Sequence, residues 1–187
     1  MRAPSARALA GLALGLVLAP PPARGSDEVE WSLSAGPEIP PADNRVGIRL
    51  SGAGLVALPD LAAPWRLELG VRGSVAVHEL VPTVGVTRPV HRWSRLVDVV
   101  PTARVTWAGG DRLAFYGEYG LGLFYVFYYD HFVEAPTDIF SFTVQLAGGA
   151  RWALGPHLGL VGELRAAVYA KSGGNLFVAP MLGVEFH

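Results

Sequence analysis

Polarity in this chain alternates with a period of two residues, and that restricts the fold more than any other feature. From Leu113 the odd positions run Leu113, Phe115, Gly117, Tyr119, Leu121, Leu123, Tyr125 and Phe127, while the even positions include Arg112, Ala114, Tyr116, Glu118, Gly120 and Gly122. One face is wholly apolar and the other collects charges and small residues, which is the signature of a β-strand and not of a helix.

The split recurs along the chain. Phe140, Phe142, Val144, Leu146, Ala150 and Trp152 oppose Ser141, Thr143, Gln145, Ala147, Gly149 and Arg151. Leu158, Leu160, Leu164, Ala166 and Val168 oppose His157, Glu163, Arg165 and Tyr169, and Leu176, Val178, Leu182, Val184 and Phe186 oppose Asn175, Ala179, Gly183 and Glu185. Upstream, Trp65, Leu67, Leu69, Val71, Val75 and Val77 oppose Arg66, Glu68, Arg72, Ser74 and His78, and Val97, Val99, Ala103, Val105 and Trp107 oppose Asp98, Thr102, Arg104 and Thr106. Val46, Ile48 and Leu50 oppose Arg45, Arg49 and Ser51, and Val29, Trp31 and Leu33 oppose Glu30, Ser32 and Ser34. That makes eight strands, an even number.

Composition sets the solvent in which such strands live. The chain is 51% hydrophobic and 17% charged, with a mean hydropathy of +0.33, which is oily for a water-soluble domain. Lys171 is the only lysine among 15 basic residues, so the chain lacks an ordinary hydrated exterior. A net charge of −1 gives no case for nucleic acid, and the absence of cysteine excludes a disulfide scaffold. Beyond the N-terminal segment, the longest uncharged stretch, 172–184, falls short of the roughly 20 apolar residues of a spanning helix and contains Pro180.

The first 25 residues read as a secretory signal peptide: Arg2 and Arg7, an apolar run over 8–19, a proline break, and small residues at Ala23 and Gly25. Cleavage is expected between Gly25 and Ser26, leaving one domain over 26–187.

An eight-strand antiparallel meander closes in one of two senses. A lipocalin-like barrel turns its apolar face inward and stands in water, and a membrane barrel inverts this. Large apolar residues occur along nearly every strand, more than a narrow eight-strand interior can hold, and the opposite face is mostly Gly, Ala, Ser, Thr, Arg and Glu. The expected fold is therefore all-β: an eight-stranded antiparallel up-and-down transmembrane β-barrel. Connection lengths agree, because "GPEIPPADN", "LVPTVGVTRPVHRWSR", "DHFVEAPTD" and "KSGG" fall at one end and "ALPDLAAP", "AGGD" and "GP" at the other. Trp31, Trp65, Trp107 and Trp152 then mark the short-turn rim, and Tyr125, Phe127, Tyr129 and Phe140 the long-loop rim, as two aromatic girdles.

Taken together, the signal-like N-terminus, the alternating strands, the aromatic belts and a last strand ending in Phe186 resemble the small Gram-negative outer-membrane β-barrels of the OmpA, OmpX and opacity-protein class. The resemblance covers the whole of 26–187 and rests on pattern, not on a signature peptide. It implies secretion to the outer membrane of a Gram-negative bacterium, insertion by a barrel-assembly machinery, contact with outer-membrane lipid including lipopolysaccharide, and a monomer. Two departures stand out: no peptidoglycan-binding domain follows the barrel, and His187 comes after the terminal Phe186.

Lumen chemistry follows from the polar face. Glu68, Asp98, Glu118, Glu163 and Glu185 are expected to meet Arg49, Arg66, Arg72, Arg104, Arg151 and Arg165 in an ion-pair network that plugs the barrel, since buried charges must pair and Arg suits bidentate carboxylate contact. Gln145 is expected to tolerate serine. A gated pore or proton path is the alternative use of such a lumen.

For catalysis, barrels of this size include lipid A deacylases and palmitoyltransferases, and His78, His91, Ser94, His131, Glu134 and Ser141 lie toward the long-loop rim. There is no His-x-Ser pair followed by a suitably spaced Glu, and His78 and Ser141 fall on strands that are not neighbours, so the expectation is no enzyme, with a lipid-modifying enzyme as the alternative. "GEYGLG" and "GAGL" do not lead from a strand into a helix, so no nucleotide site is expected, nor any metal or other cofactor. What remains is the exterior. The second long loop is basic and aromatic, with Arg88, His91, Arg92, Trp93 and Arg95, and the third is acidic, with Asp130, Glu134 and Asp138. The basic set is the candidate contact for lipopolysaccharide phosphates or for an external partner.

Overall fold

A computed structural model describes residues 29–39, 46–58, 64–80, 92–129, 139–170 and 175–186. Among them, each run with the two-residue period forms one strand: β1 (Val29–Glu38), β2 (Gly47–Ala57), β3 (Trp65–Leu80), β4 (Arg92–Ala108), β5 (Leu113–Tyr129), β6 (Ile139–Ala153), β7 (Leu158–Tyr169) and β8 (Asn175–Phe186). Each strand pairs antiparallel with the next and β8 pairs back onto β1, giving a closed all-β barrel with no free edge among the described strands. The segment read as a signal peptide, 1–25, lies outside the described residues.

The barrel is inside out. Leu182 and Ile48 are 77% and 71% exposed, while Arg49 and Glu68 are 0% exposed. Water would penalise that wall and hydrocarbon would not, because every backbone donor and acceptor is committed to a neighbouring strand wherever the ladder is continuous. Alternation places large apolar residues on the wall and Arg, Glu, Ser, Thr and Gly in the lumen.

One end is trimmed flush. Trp65 pairs with Trp107, which pairs with Phe115, and the turns there are the short stretches 109–112 and 154–157. Gly110 in the first of these has φ of 154°, a backbone state glycine adopts without strain. We call this the turn end. At the opposite, loop end the strands are uneven: β3, β4 and β5 have 16, 17 and 17 residues, and β1 and β2 have 10 and 11. Gly47, the first residue of β2, pairs with His78, and the β3–β4 ladder continues two pairs beyond it, to Leu80 opposite Arg92.

This extension corrects the sequence reading of the loops. Gly36, Pro37 and Glu38 belong to β1, and the β3–β4 ladder continues through Val77 opposite Arg95, His78 opposite Ser94, Glu79 opposite Trp93 and Leu80 opposite Arg92. Arg92, Trp93 and Arg95 are therefore strand residues. Alternation of polarity is demanded only where one face meets lipid, so a reading based on it ends the strands too early.

Candidate functional site

The lumen is charged from the turn end to above its middle and apolar beyond. At the turn end Glu30 receives Arg66 at 2.8 Å and Arg151 at 2.8 Å, and Arg151 also reaches Glu185 at 2.9 Å. Glu68 lies among Arg66, Arg151 and Arg104 at 3.4, 3.6 and 3.7 Å. The Arg66 side chain remains 39% exposed, so this layer meets solvent.

Glu118 is the hub of the middle layer. Arg72 donates to it through Nε and Nη2, both at 2.9 Å, in a bidentate fork, while Arg104 donates at 3.0 Å and Arg165 at 3.1 Å. Arg165 also donates to Glu163 at 3.1 Å and to Gln145 at 3.1 Å. Tyr116 donates to Glu163 at 2.8 Å, and the Arg104 guanidinium lies 4.3 Å above the Tyr116 ring. The neighbouring glycine makes room for that ring: a Cβ on Gly149 would stand 2.6 Å from it.

Above, Arg49 donates to Glu38 at 2.8 Å through Nε and to Asp98 at 2.8 Å through Nη1, and it also contacts the Tyr169 hydroxyl, which donates to Asp98 at 3.1 Å. His78 lies 2.9 Å from the other Glu38 oxygen. An apolar cluster of Ala76, Leu96, Phe124, Val126, Ala167 and Tyr169, with Ile139 and Phe177 against it, then closes the loop end. Its rings meet edge to face, Phe124–Tyr169 at 4.8 Å and Tyr169–Phe177 at 5.3 Å.

Every charged residue named for the lumen from sequence lies in these layers: Arg49, Arg66, Glu68, Arg72, Asp98, Arg104, Glu118, Arg151, Glu163, Arg165 and Glu185. The sequence reading omitted Glu30, Glu38, His78, Tyr116 and Tyr169 from the network. Stepping by two from Glu30 along β1 reaches Glu38, so the same alternation contained that signal, hidden by the Gly-Pro that looked like a turn.

At the rims, Trp65, Trp107, Trp152 and Phe140 are exposed on the wall, and Trp107 stacks on Phe115 at 5.8 Å. Trp31 is half-buried because it lies across Gly54, where a Cβ would come within 3.0 Å of its ring. Tyr125 and Phe127 are half-buried and tilted against each other at 4.4 Å, and Tyr129 ends β5. Arg95 is exposed, directly across the β4–β5 ladder from Phe127. Arg88, His91, Asp130, His131, Glu134 and Asp138 lie outside the described residues.

Among the described residues, the catalytic candidates do not gather at the surface. His78, buried in the lumen, packs on Phe177 at 5.4 Å, with Ser94 as its buried cross-strand partner. Ser141 is on another strand and donates its hydroxyl to the Ala170 carbonyl at 2.5 Å.

No family model matches the sequence, and neither does any curated protein. Solved structures do share its fold. Neisserial surface protein A (NspA) is 12% identical, with 84% of this chain and 94% of that chain covered at a TM-score of 0.61. The outer membrane enzyme PagL is 13% identical, covering 84% and 99% at 0.53. A major outer membrane protein from Thermus thermophilus is 17% identical, covering 84% and 98% at 0.50. The fold is that of small outer-membrane β-barrels.

Proposed function

We propose that this chain is an integral, monomeric barrel of a Gram-negative outer membrane, with a plugged lumen and a recognition surface at its loop end. The observation that carries the reading is the combination of a charged lumen, paired layer by layer and capped by an aromatic cluster, with a wall of exposed Leu, Ile, Phe and Trp. An eight-strand interior is just wide enough for side chains, and here they occupy it. A scaffold that neither conducts nor exposes reactive groups acts through its exterior. Arg95 supports contact with lipopolysaccharide: an exposed guanidinium beside Phe127 at the girdle is suited to bidentate phosphate binding at headgroup level.

The deciding experiment is heat-modifiable mobility of the protein from purified outer membranes, with binding of lipopolysaccharide vesicles measured alongside. A folded band that shifts on boiling, and binding that falls several-fold in Arg95→Ala, are expected. Recovery of the protein in the soluble fraction would favour the lipocalin-like alternative.

The second reading is an enzyme of acyl chemistry, favoured by one grouping: Glu38 touches His78, whose cross-strand neighbour is Ser94. All of them are buried in the lumen, where an acyl ester does not reach. Expression in an outer membrane is therefore expected to leave the lipid A acyl pattern unchanged by mass spectrometry. A lost or gained acyl chain, abolished by His78→Ala, would overturn this.

A further inference from the structure

The seam that closes the barrel has a gap fixed by covalent chemistry. β1 and β8 pair in register from Trp31 opposite Phe186 to Ala35 opposite Leu182. The same register resumes at Ile39 opposite Val178, where each N–H donates to the other residue's carbonyl at 2.8 Å. Between these stretches the register sets Pro37 opposite Pro180. In an antiparallel ladder, pairs two residues apart are of the same kind, so these prolines occupy a position where both ladder bonds should be exchanged. Neither has an N–H. The two proline carbonyls thus face partners that cannot donate. Gly36 and Glu38 do not help, because their N–H groups point the other way, toward β2.

Both prolines are exposed on the wall, six residues from Trp31 along β1, roughly 15 Å up a lipid-facing band of about 25 Å. An acceptor left unpaired there is strongly disfavoured. Over the gap runs a largely apolar groove of about 480 Å³ whose lining includes Ala35, Pro37, Gly162, Pro180 and Leu182, with Glu163 its one charged residue. Gly162 keeps it open, since a Cβ there would meet only Leu182, at 3.7 Å.

On the membrane reading above, we propose that this seam binds the hydroxylated acyl chain of a membrane lipid in the loop-end leaflet. The chain lies in the apolar groove and its hydroxyl donates to the proline carbonyls. A plain acyl chain fills the groove but leaves the carbonyls unmet. A second copy offers no better partner: its described strand edges are paired, and its own gap presents acceptors, so two gaps cannot satisfy each other.

The test uses the full chain, folded into dimyristoylphosphatidylcholine bilayers with carbon-13 at the proline carbonyls. 3-Hydroxytetradecanoic acid or tetradecanoic acid is titrated in, and the Pro37 and Pro180 carbonyl resonances are followed by solid-state NMR. A saturable shift with the hydroxylated acid alone is expected. Gly162→Val, which fills the groove and leaves the ladder intact, should weaken that response at least tenfold. Pro37→Val/Pro180→Val, which restores two donors, should raise the unfolding midpoint and abolish discrimination between the acids in a competition readout by native mass spectrometry. Equal responses to both acids, no response, discrimination that survives in the double valine variant, or intermolecular contacts at the seam would each overturn the proposal. Failure to insert into bilayers would instead overturn the membrane reading, and the seam proposal with it.

Discussion

Glu118 accepts from Arg72, Arg104 and Arg165 at 2.9–3.1 Å, and all of these side chains are buried. Removing a carboxylate from such a site strands buried cations, a loss far greater than that of an exposed pair. Glu118→Ala is expected to cost about 3–5 kcal/mol, read as a shift in the urea midpoint of the protein in vesicles. Gln145 makes a useful contrast. Read from sequence it is a lumen residue whose change to serine is mild, yet its oxygen accepts from Arg165, so Gln145→Ser should cost about 1–3 kcal/mol. Alternation tells which face a residue takes but not which neighbour across the lumen it touches.

At the level of strands, Leu121 on β5 is 53% exposed on the wall between Tyr119 and Leu123. Leu121→Arg should cost roughly 2–4 kcal/mol if that position lies near the bilayer midplane, measured by the same unfolding assay. Little change would mean that the wall faces water. The strands and their faces were legible because a wall in hydrocarbon and a polar lumen impose opposite demands at every step. Two features of the strands were not. Arg92, Trp93 and Arg95 looked like loop because the alternation lapses above the lipid-facing band. The Pro37–Pro180 gap depends on the register between β1 and β8, strands far apart in the chain, and no local pattern reports that register.

At the scale of the whole molecule, the described residues line an interior that is apolar toward the loop end and meets solvent at the turn end. Planar bilayers holding the folded protein should show no steady conductance, and Phe124→Gly with Phe177→Gly should not open one, because the Arg49, Glu38 and Asp98 layer lies beneath the cap. Stable channels from the parent chain would refute the plug. The pairing across the lumen also bears on how the barrel can be built. Glu30 on β1 meets Arg66 on β3 and Arg151 on β6, and Ser34 on β1 meets Glu163 on β7. A half-zipped sheet entering the bilayer would therefore carry Arg72 into oil before Glu118 on β5 arrived to neutralise it, and Arg104 before Glu118 and Glu185 did. Only with β8 in place does Glu185 stand against Arg104 and Arg151, so the polar filling favours a closed ring in hydrocarbon over an open sheet, and the charges hold the seam shut from within.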